Sequence, residues 1–160
     1  MEVFMQAYLK QLADIKKQTF CIEVEVLDGG KLPIKAHKTD AGFDLFAAED
    51  VNIEPGQVVK TPLNIRIKFP TGAWGRIETK SGLGSKGMLV WAGVIDEGYR
   101  GIPHVICTNL NSEGTISILK GQKLAQMTMN PHSNEYYIEQ VEKVDTATDR
   151  GDGGFGSSGK

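Results

Sequence analysis

The feature that most constrains the fold is a change of hydrophobic period near residue 20. Beyond that point, short segments of alternating apolar and polar residues follow one another, separated by turn sequences rich in Gly, Pro, Asn and Asp. The segments are CIEVEV, VNIEPGQVV, NIRIKF, WGRIET, HVICTNL, TISIL and YYIEQVE. Strands at this spacing without intervening helices favour antiparallel sheets that close as a sandwich or barrel. The sequence therefore predicts an all-β domain.

The residues before this change follow a different pattern. Apolar side chains fall near helical spacing at Val3, Phe4, Ala7, Tyr8, Leu12 and Ile15. This spacing predicts one amphipathic helix over residues 1–17. We expect the helix to pack on its own subunit, and a partner-binding role is the alternative.

Size and charge exclude several classes of protein. A chain of 160 residues fits one domain with a sizeable core. Its 40% hydrophobic and 24% charged residues are ordinary for a globular protein and speak against a disordered or membrane-spanning chain. Because the net charge is −2, no overall basic field attracts nucleic acid or anionic lipid. We expect neither a nucleic-acid nor a membrane partner.

The cysteines and the amino-terminal residues indicate the cellular compartment of the protein. Cys21 and Cys107 lie in apolar runs without a CxxC spacing, so we expect two buried thiols, with a disulfide as the alternative. The first residues include an acid and no continuous apolar stretch, unlike a secretory signal or a membrane anchor. We therefore expect an intracellular, cytoplasmic protein, and a nuclear location or a virus-infected cell stays open.

Common catalytic motifs are missing from the sequence. His37, His104 and His132 are isolated from one another, and there is no HExxH or Cys/His cluster. We therefore expect no protein-held metal site. The phosphate loop GxxxxGK[ST], the GxSxG elbow and the GxGxxG fingerprint are absent as well. If the protein binds phosphate, other loops do so.

The last residues form a glycine-rich tail. Five glycines lie among residues 151–160, where Phe155 is the one residue that could join a core. We expect this tail to be mobile without ligand. A frayed terminus is the alternative interpretation. Arg150 and Phe155 favour a ligand-binding role, because they place a charged fork and an aromatic ring in a segment able to wrap around a ligand.

Three polar, glycine-containing stretches interrupt the strand pattern: AGFDL at 41–45, GRIETKSGLGSK at 75–86 and GVIDEGYRG at 93–101. In the second, Lys80 supplies positive charge, while the Ser81 hydroxyl and the Gly82 amide could bind an anion. In the third, Asp96 follows an apolar pair at a predicted strand end, where partial burial could fix its carboxylate beside a substrate. A simple turn-forming Asp is the alternative there.

Together with GQKLAQM at 121–127 and RGDGGFGSSG at 150–159, these stretches resemble, in order, the five motifs of the trimeric dUTP pyrophosphatases, or dUTPases. The resemblance implies a jelly-roll-type β-barrel and a threefold homotrimer with active sites shared between subunits. After the helix at 1–17, which lies outside the resemblance, the chain is predicted to comprise a barrel at 18–149 and a mobile motif at 150–160 that closes over the site.

The resemblance also implies a reaction, the hydrolysis of dUTP to dUMP and pyrophosphate. Asp96 would deprotonate the water that attacks the α-phosphorus. Ser81, Gly82 and Gln126 would hold the phosphates, with Lys80 where the family usually has arginine. Tyr99 would pack on the deoxyribose and exclude a ribose 2′-hydroxyl. Mg²⁺ would enter with the triphosphate and bind mainly phosphate oxygens and water.

The remaining implied contacts come from the tail and from a hairpin at residues 88–95. The tail motif includes Gly156; its Arg150, Ser157 and Ser158 would close over the phosphates, and Phe155 would stack on uracil.

Main-chain groups of the hairpin, at Gly93, Val94 and Ile95, would read the base edge. Cytosine reverses part of that hydrogen-bonding pattern and thymine adds a methyl group, so both would be rejected.

Two alternative functions remain open at this point. A dCTP deaminase resembles a dUTPase in fold but needs a glutamate placed for deamination, and the motifs at 93–101 and 150–159 favour the pyrophosphatase. A regulatory barrel that binds dUTP or a protein partner without turnover is the non-enzymatic alternative. Asp96 together with Arg150 argues against it.

Overall fold

The computed structural model describes residues 2–144 and 146–148, apart from the side chains of residues 17–19. In chain order the elements are α1 (Glu2–Phe20), β1 (Glu23–Val26), β2 (Gly42–Phe46), β3 (Val51–Ile53), β4 (Val58–Pro62), β5 (Ile65–Lys68), β6 (Ala73–Glu78), α2 (Ser81–Gly84), β7 (Met88–Trp91), β8 (Val94–Ile95), β9 (His104–Asn109), β10 (Ile116–Ile118) and β11 (Lys123–Pro131).

The strands pair antiparallel in small sheets. The largest has the order β2-β11-β6-β8, a second has the order β4-β9-β7, and β1-β5 and β10-β3 form two-stranded pairs. Buried side chains from all these sheets meet in one core cluster. This arrangement of short antiparallel strands around one core confirms the predicted all-β, jelly-roll-type fold.

The predicted alternation is visible where one strand face contacts the core. In β5, Ile65 and Ile67 are buried while Arg66 and Lys68 are exposed. Every predicted strand segment except one overlaps a strand, and VNIEPGQVV includes β3 and the first two residues of β4. Gly56 makes the turn between those two strands, with a φ of 72° that favours glycine.

The sequence did not reveal β11, although it is the central strand of the largest sheet. Its pairing with β2 shifts register between Lys123 and Ala125, and Leu124 and Ala125 are both fully buried. A register irregularity of this kind places successive residues on the same face, so the period of two is lost.

The prediction of a strand at YYIEQVE was wrong. Residues 136–142 form no strand, and Tyr136 and Ile138 are 87% and 101% exposed. Alternation alone cannot make a strand, because backbone groups also need a neighbouring strand to bond to.

The predicted amino-terminal helix is present and extends to Phe20. The expectation that it packs on its own subunit was wrong, because each of its described side chains is exposed, including Phe4 at 84% and Tyr8 at 57%. Among the described residues, no helix has both the length and the apolar character needed to span a membrane.

Neither cysteine forms a disulfide in the structure. Cys107 is fully buried, as expected, and burial raises the pKa of its thiol to about 11. Cys21 is only half-buried, so the expectation of two buried thiols holds for Cys107 alone.

One buried polar side chain forms hydrogen bonds with the backbone of several loops at one end of the barrel. The amide nitrogen of Asn109 donates to the Ile53 carbonyl at 3.0 Å and to the Gly114 carbonyl at 2.8 Å, and its oxygen accepts from the Asn111 N–H at 3.0 Å. Asn109 is fully buried, so these bonds replace the hydrogen bonds to water that its side-chain amide loses on folding.

We predict that Asn109→Ala lowers the free energy of unfolding by about 2–4 kcal/mol, because it leaves buried polar groups without partners and opens a small cavity. Urea denaturation at fixed protein concentration measures the change. Asn52→Ala is the matched control, since that exposed side chain makes a surface hydrogen bond with Ser117. Equal small effects of the two substitutions would contradict the prediction.

Candidate functional site

Pairing of three neighbouring strands brings three of the motif segments together. Gln126 of β11 lies opposite Asp44 of β2 on one side and opposite Glu78 of β6 on the other. The first, fourth and second motif segments therefore meet in one row across the sheet, at the end of β6 that leads to Lys80.

Asp44 forms the centre of a lysine cluster, which we define as Asp44, Lys80 and Lys123. Lys80 forms an ion pair with Asp44 Oδ1, and Lys123 Nζ lies 2.7 Å from Oδ2. Burial by itself would raise the pKa of Asp44, but hydrogen bonds from Lys123 and Lys80 and their positive charges hold it below its usual value. The carboxylate therefore stays ionised at neutral pH.

The lysine cluster has an excess of positive charge, because it contains two cations and one anion. The Asp44 side chain is 7% exposed, whereas those of Lys80 and Lys123 are 26% and 45% exposed. The anion is therefore largely shielded by protein, and the cations reach the surface. Such a cluster favours an anionic ligand.

The segment after Lys80 turns at once into the short helix α2. Gln126 Nε2 donates to the Thr79 carbonyl at 3.1 Å and so fixes the chain just before Lys80. Ser81 and Gly82 are both exposed. A Cβ added at Gly82 would meet no other atom, so packing does not require glycine at this position.

Asp96 lies at the other end of the sheet, directly after β8. Its neighbour Ile95 is buried and pairs with Gly75 of β6, while Asp96 itself is exposed. Its carbonyl accepts a hydrogen bond from the Tyr99 N–H at 3.1 Å, which closes a turn over residues 96–99, the Asp96 turn. Within the described part of the chain, its carboxylate has no hydrogen-bond or ion-pair partner.

Tyr99 closes the Asp96 turn. Its hydroxyl donates to the Ile102 carbonyl at 3.2 Å, and its side chain remains 44% exposed. A Cβ on Gly101 would come within 2.6 Å of the tyrosine ring. Glycine at 101 therefore allows the ring to lie flat against the main chain.

Residues 88–95 do not form the expected hairpin. β7 pairs with β9, whereas β8 pairs with β6, so this segment crosses from one sheet to another. Gly93 makes the crossing possible. Its carbonyl accepts from the Ile77 N–H at 2.7 Å, and a Cβ there would lie 2.0 Å from the Ile77 oxygen.

The predicted base-reading residues differ in exposure. Val94 is 62% exposed and Ile95 is 5% exposed. The side chain of Ile95 belongs to the core, so only its main chain could contact a ligand. Gly93 is half-buried beside them.

One chain does not bring all the predicted site residues together. β8 pairs with the first half of β6, at Gly75 and Arg76, and runs antiparallel to it. Asp96 therefore continues away from the Lys80 end of β6. From Gly75 to Glu78 the strand alone advances about 10 Å, and Lys80 and Asp96 lie beyond those two points in opposite directions.

Five predicted site residues lie outside the described residues: Arg150, Phe155, Gly156, Ser157 and Ser158.

The sequence analysis assigned no role to Asp44 and Lys123. Asp44 could have been recognised as a charged residue inside an otherwise apolar strand, GFDLF, because buried charges need partners. Lys123 carried no such signal. In the described part of the chain, no three His, Cys, Asp or Glu side chains are grouped closely enough to hold a metal ion.

Comparisons with known proteins agree with the motif pattern. The profile of the dUTPase family matches residues 28–159. The chain is 44% identical over 131 residues to the deoxyuridine 5′-triphosphate nucleotidohydrolase of Clostridium kluyveri, covering 80% of this chain and 90% of that protein. It is 40% identical over 140 residues to the enzyme of the same name from monkeypox virus, covering 85% and 88%.

Solved structures show the same fold. The dUTPase of Staphylococcus bacteriophage 80alpha, solved with dUpNHpp, superimposes with a TM-score of 0.80 and 29% identity, covering 89% of this chain and all of that chain. A related structure, the dUTPase of phage phi11 of S. aureus, is described with a structural Mg(II) ion. With a family profile that spans most of the sequence and relatives of 40% and 44% identity, the chain belongs to the dUTPase family.

Proposed function

We propose that Asp96 is the general base with which this dUTPase hydrolyses dUTP to dUMP and pyrophosphate. The observation that supports this role is the exposed Asp96 carboxylate, which has no hydrogen-bond or ion-pair partner among the described residues and directly follows a strand paired with β6. An ionised carboxylate accepts the proton of a water molecule as the water oxygen bonds to the α-phosphorus. The bond from that phosphorus to the bridging oxygen breaks, and pyrophosphate leaves with the bonding electrons.

We propose that the triphosphate binds at the lysine cluster and the adjoining Ser81 and Gly82. The excess positive charge of the cluster supports this placement, as does a glycine that packing does not require. Ser81 and the Gly82 amide would donate to phosphate oxygens, and Gln126 would keep this segment in place through its bond to Thr79. Lys80 provides a point charge instead of the planar fork of an arginine.

We propose that the active enzyme is a homotrimer whose sites combine residues of different chains. Asp96 and Lys80 lie beyond opposite ends of the β6 segment that separates them. Because both groups must approach the same triphosphate, a site made from two neighbouring copies satisfies the geometry that one chain does not. The exposed residues 136–142 are also available to a neighbouring copy.

We propose that Tyr99 contacts the deoxyribose and that the main chain at Gly93, Val94 and Ile95 reads uracil. Tyr99 is partly exposed beside Asp96, where a sugar attached to the α-phosphate would lie. The sheet crossing at Gly93 supports a fixed set of main-chain donors and acceptors, because β6 holds it at Ile77. A fixed hydrogen-bonding pattern discriminates between bases more strongly than an apolar surface does.

We propose that Mg²⁺ binds together with the triphosphate. The oxygens of Asp44 are occupied by lysines, and the excess positive charge of the cluster fits phosphate better than a bare cation. Mg²⁺ prefers phosphate oxygens and water, and it would neutralise part of the phosphate charge.

We also propose a cytoplasmic location, where the free thiols of this chain would remain reduced.

We predict that Asp96→Asn lowers kcat by at least about 100-fold, because the amide cannot accept the proton. The asparagine side chain has nearly the same shape as aspartate, so the variant should still bind dUpNHpp. Pyrophosphate release with dUTP and Mg²⁺ measures the turnover, and dCTP in a parallel reaction with ammonia detection tests for deamination. Near-normal turnover by the purified variant would reject the role of Asp96.

We predict a mass of about three chains by light scattering, as expected for a closed trimer, and restoration of activity in mixed trimers. Asp96→Asn and Lys80→Ala chains, unfolded and refolded together in equal amounts, should regain about a quarter of wild-type activity, because about a quarter of sites draw both intact residues from different chains. Each variant refolded alone is the control. A site contained in one chain would give no recovery.

We predict that deleting everything after Asp149 leaves the thermal stability of the trimer nearly unchanged but greatly lowers turnover. Arg150→Ala should chiefly lower kcat, since a mobile arginine in other phosphoryl-transfer enzymes contributes on the order of 10³- to 10⁵-fold. Phe155→Ala should chiefly raise KM, because stacking on a base contributes about 1–3 kcal/mol. Steady-state kinetics distinguish these effects, and wild-type kcat without the tail would identify it as a frayed terminus.

A further inference from the structure

Glu97 follows Asp96 in the chain, yet the two side chains differ in environment. The Asp96 side chain is exposed and has no partner in the part of the chain that the structure describes, whereas Glu97 is half-buried. Glu97 Oε2 accepts a hydrogen bond from the Gly72 N–H at 2.9 Å and lies 2.8 Å from His132 Nε2. The second residue of the Asp96 turn is therefore attached to the barrel through its side chain.

The two groups that Glu97 contacts are themselves fixed to each other. The His132 N–H donates to the Gly72 carbonyl at 2.9 Å. Gly72 occupies the turn before β6, with a φ of 78°, and His132 follows β11, whose Pro131 pairs with Ala73. Glu97 thus binds to one end of the β6–β11 ladder, and that end is held by main-chain hydrogen bonds.

Asp96 consequently lies between two attachments to the same strand region. Before it, Ile95 pairs with Gly75 of β6, and after it, Glu97 bonds to Gly72. Because the Asp96 carboxylate makes no bond within the described chain, its position depends on these two neighbours. Removing the Glu97 side chain would leave the residues after Asp96 with the hydrogen bonds of Tyr99 and Arg100, which are all made within residues 96–102.

The charges around Glu97 favour its ionised form. The Gly72 N–H lowers the pKa of Glu97 most, burial opposes this, and the His132 hydrogen bond and the charges of His132 and Arg100 lower it further. Arg100 also donates to the Glu97 and Tyr99 carbonyls, at 2.6 and 2.9 Å. The side chain and main chain of the turn are therefore attached at several points.

We propose that Glu97, through its bonds to Gly72 and His132, is a positioning residue. It holds Asp96 where the Asp96 carboxylate can accept the proton of the attacking water. This inference rests on the proposed role of Asp96 as the base. The base must lie within hydrogen-bond reach of the attacking water, and a displacement of about 1 Å can lower a rate by on the order of 100-fold. Binding of the triphosphate at the lysine cluster does not involve Glu97.

The test compares Glu97→Ala with Glu97→Gln in the full-length protein. Glu97→Ala should lower kcat about 10- to 100-fold, while KM for dUTP changes by less than about twofold. Glu97→Gln keeps an oxygen that can accept from Gly72 and His132 but lacks the charge, so it should retain most of the wild-type kcat. An equal loss in both variants would overturn positioning in favour of a charge effect.

Variants of His132 provide a second test if Glu97→Ala does not fold. His132→Leu should lower kcat, and His132→Gln, which keeps an N–H donor, should restore it. Glu54→Ala is the matched control, since the exposed Glu54 side chain accepts a hydrogen bond from the Thr115 hydroxyl at 2.8 Å and has no hydrogen bond or ion pair with the Asp96 turn in the described part of the chain. Equal kcat values for the two His132 variants would overturn the proposal.

Asp96→Asn in the same assay separates the two ideas. An inactive Asp96→Asn protein with a fully active, folded Glu97→Ala protein would overturn the positioning role alone. An active Asp96→Asn protein would overturn the proposed base, and the positioning inference with it.

Discussion

The antiparallel pairing of β11 with β6 is the interaction on which both parts of the site depend. It extends from Gln126 opposite Glu78 to Pro131 opposite Ala73. At the first end, Gln126 holds the chain that enters Lys80, Ser81 and Gly82. At the other end, His132 and Gly72 bind Glu97 beside Asp96. A central strand pair, with main-chain bonds along its length, provides the rigidity that loops lack.

The carboxylates of Asp44 and Asp96 have opposite environments, although both residues lie in motif segments. Asp44 is buried and both of its oxygens contact lysines, so it organises positive charge. Asp96 is exposed and lacks a partner in the described chain, so its oxygens remain available to water. Neutralised carboxylates serve structure, whereas a general base needs a free lone pair.

Geometry within one chain is also the reason for proposing a site shared between copies. The lysine cluster and the Asp96 turn are each well formed but lie toward opposite ends of β6. The exposed helix α1 and residues 136–142 leave further apolar surface beyond the barrel. A barrel that is complete as a fold is therefore incomplete as a proposed active site, because the reacting groups must lie within bonding distance of one substrate.

The sequence by itself determined the all-β class, the amino-terminal helix and the family, because alternation, turn residues and ordered motifs are local properties. It predicted roles for Asp96 and Lys80, but it could not show that β7 and β8 belong to different sheets. It also gave His132, Asp44, Lys123 and Glu97 no role.

Only the tertiary structure decided those points, since strand pairing joins residues far apart in the chain. His132 and Glu97 are separated by 35 positions, and Lys80 and Asp44 by 36. The same reason explains the wrong strand at residues 136–142. A local pattern specifies which residues can form a strand, and only the pairing of distant segments decides whether a partner is there.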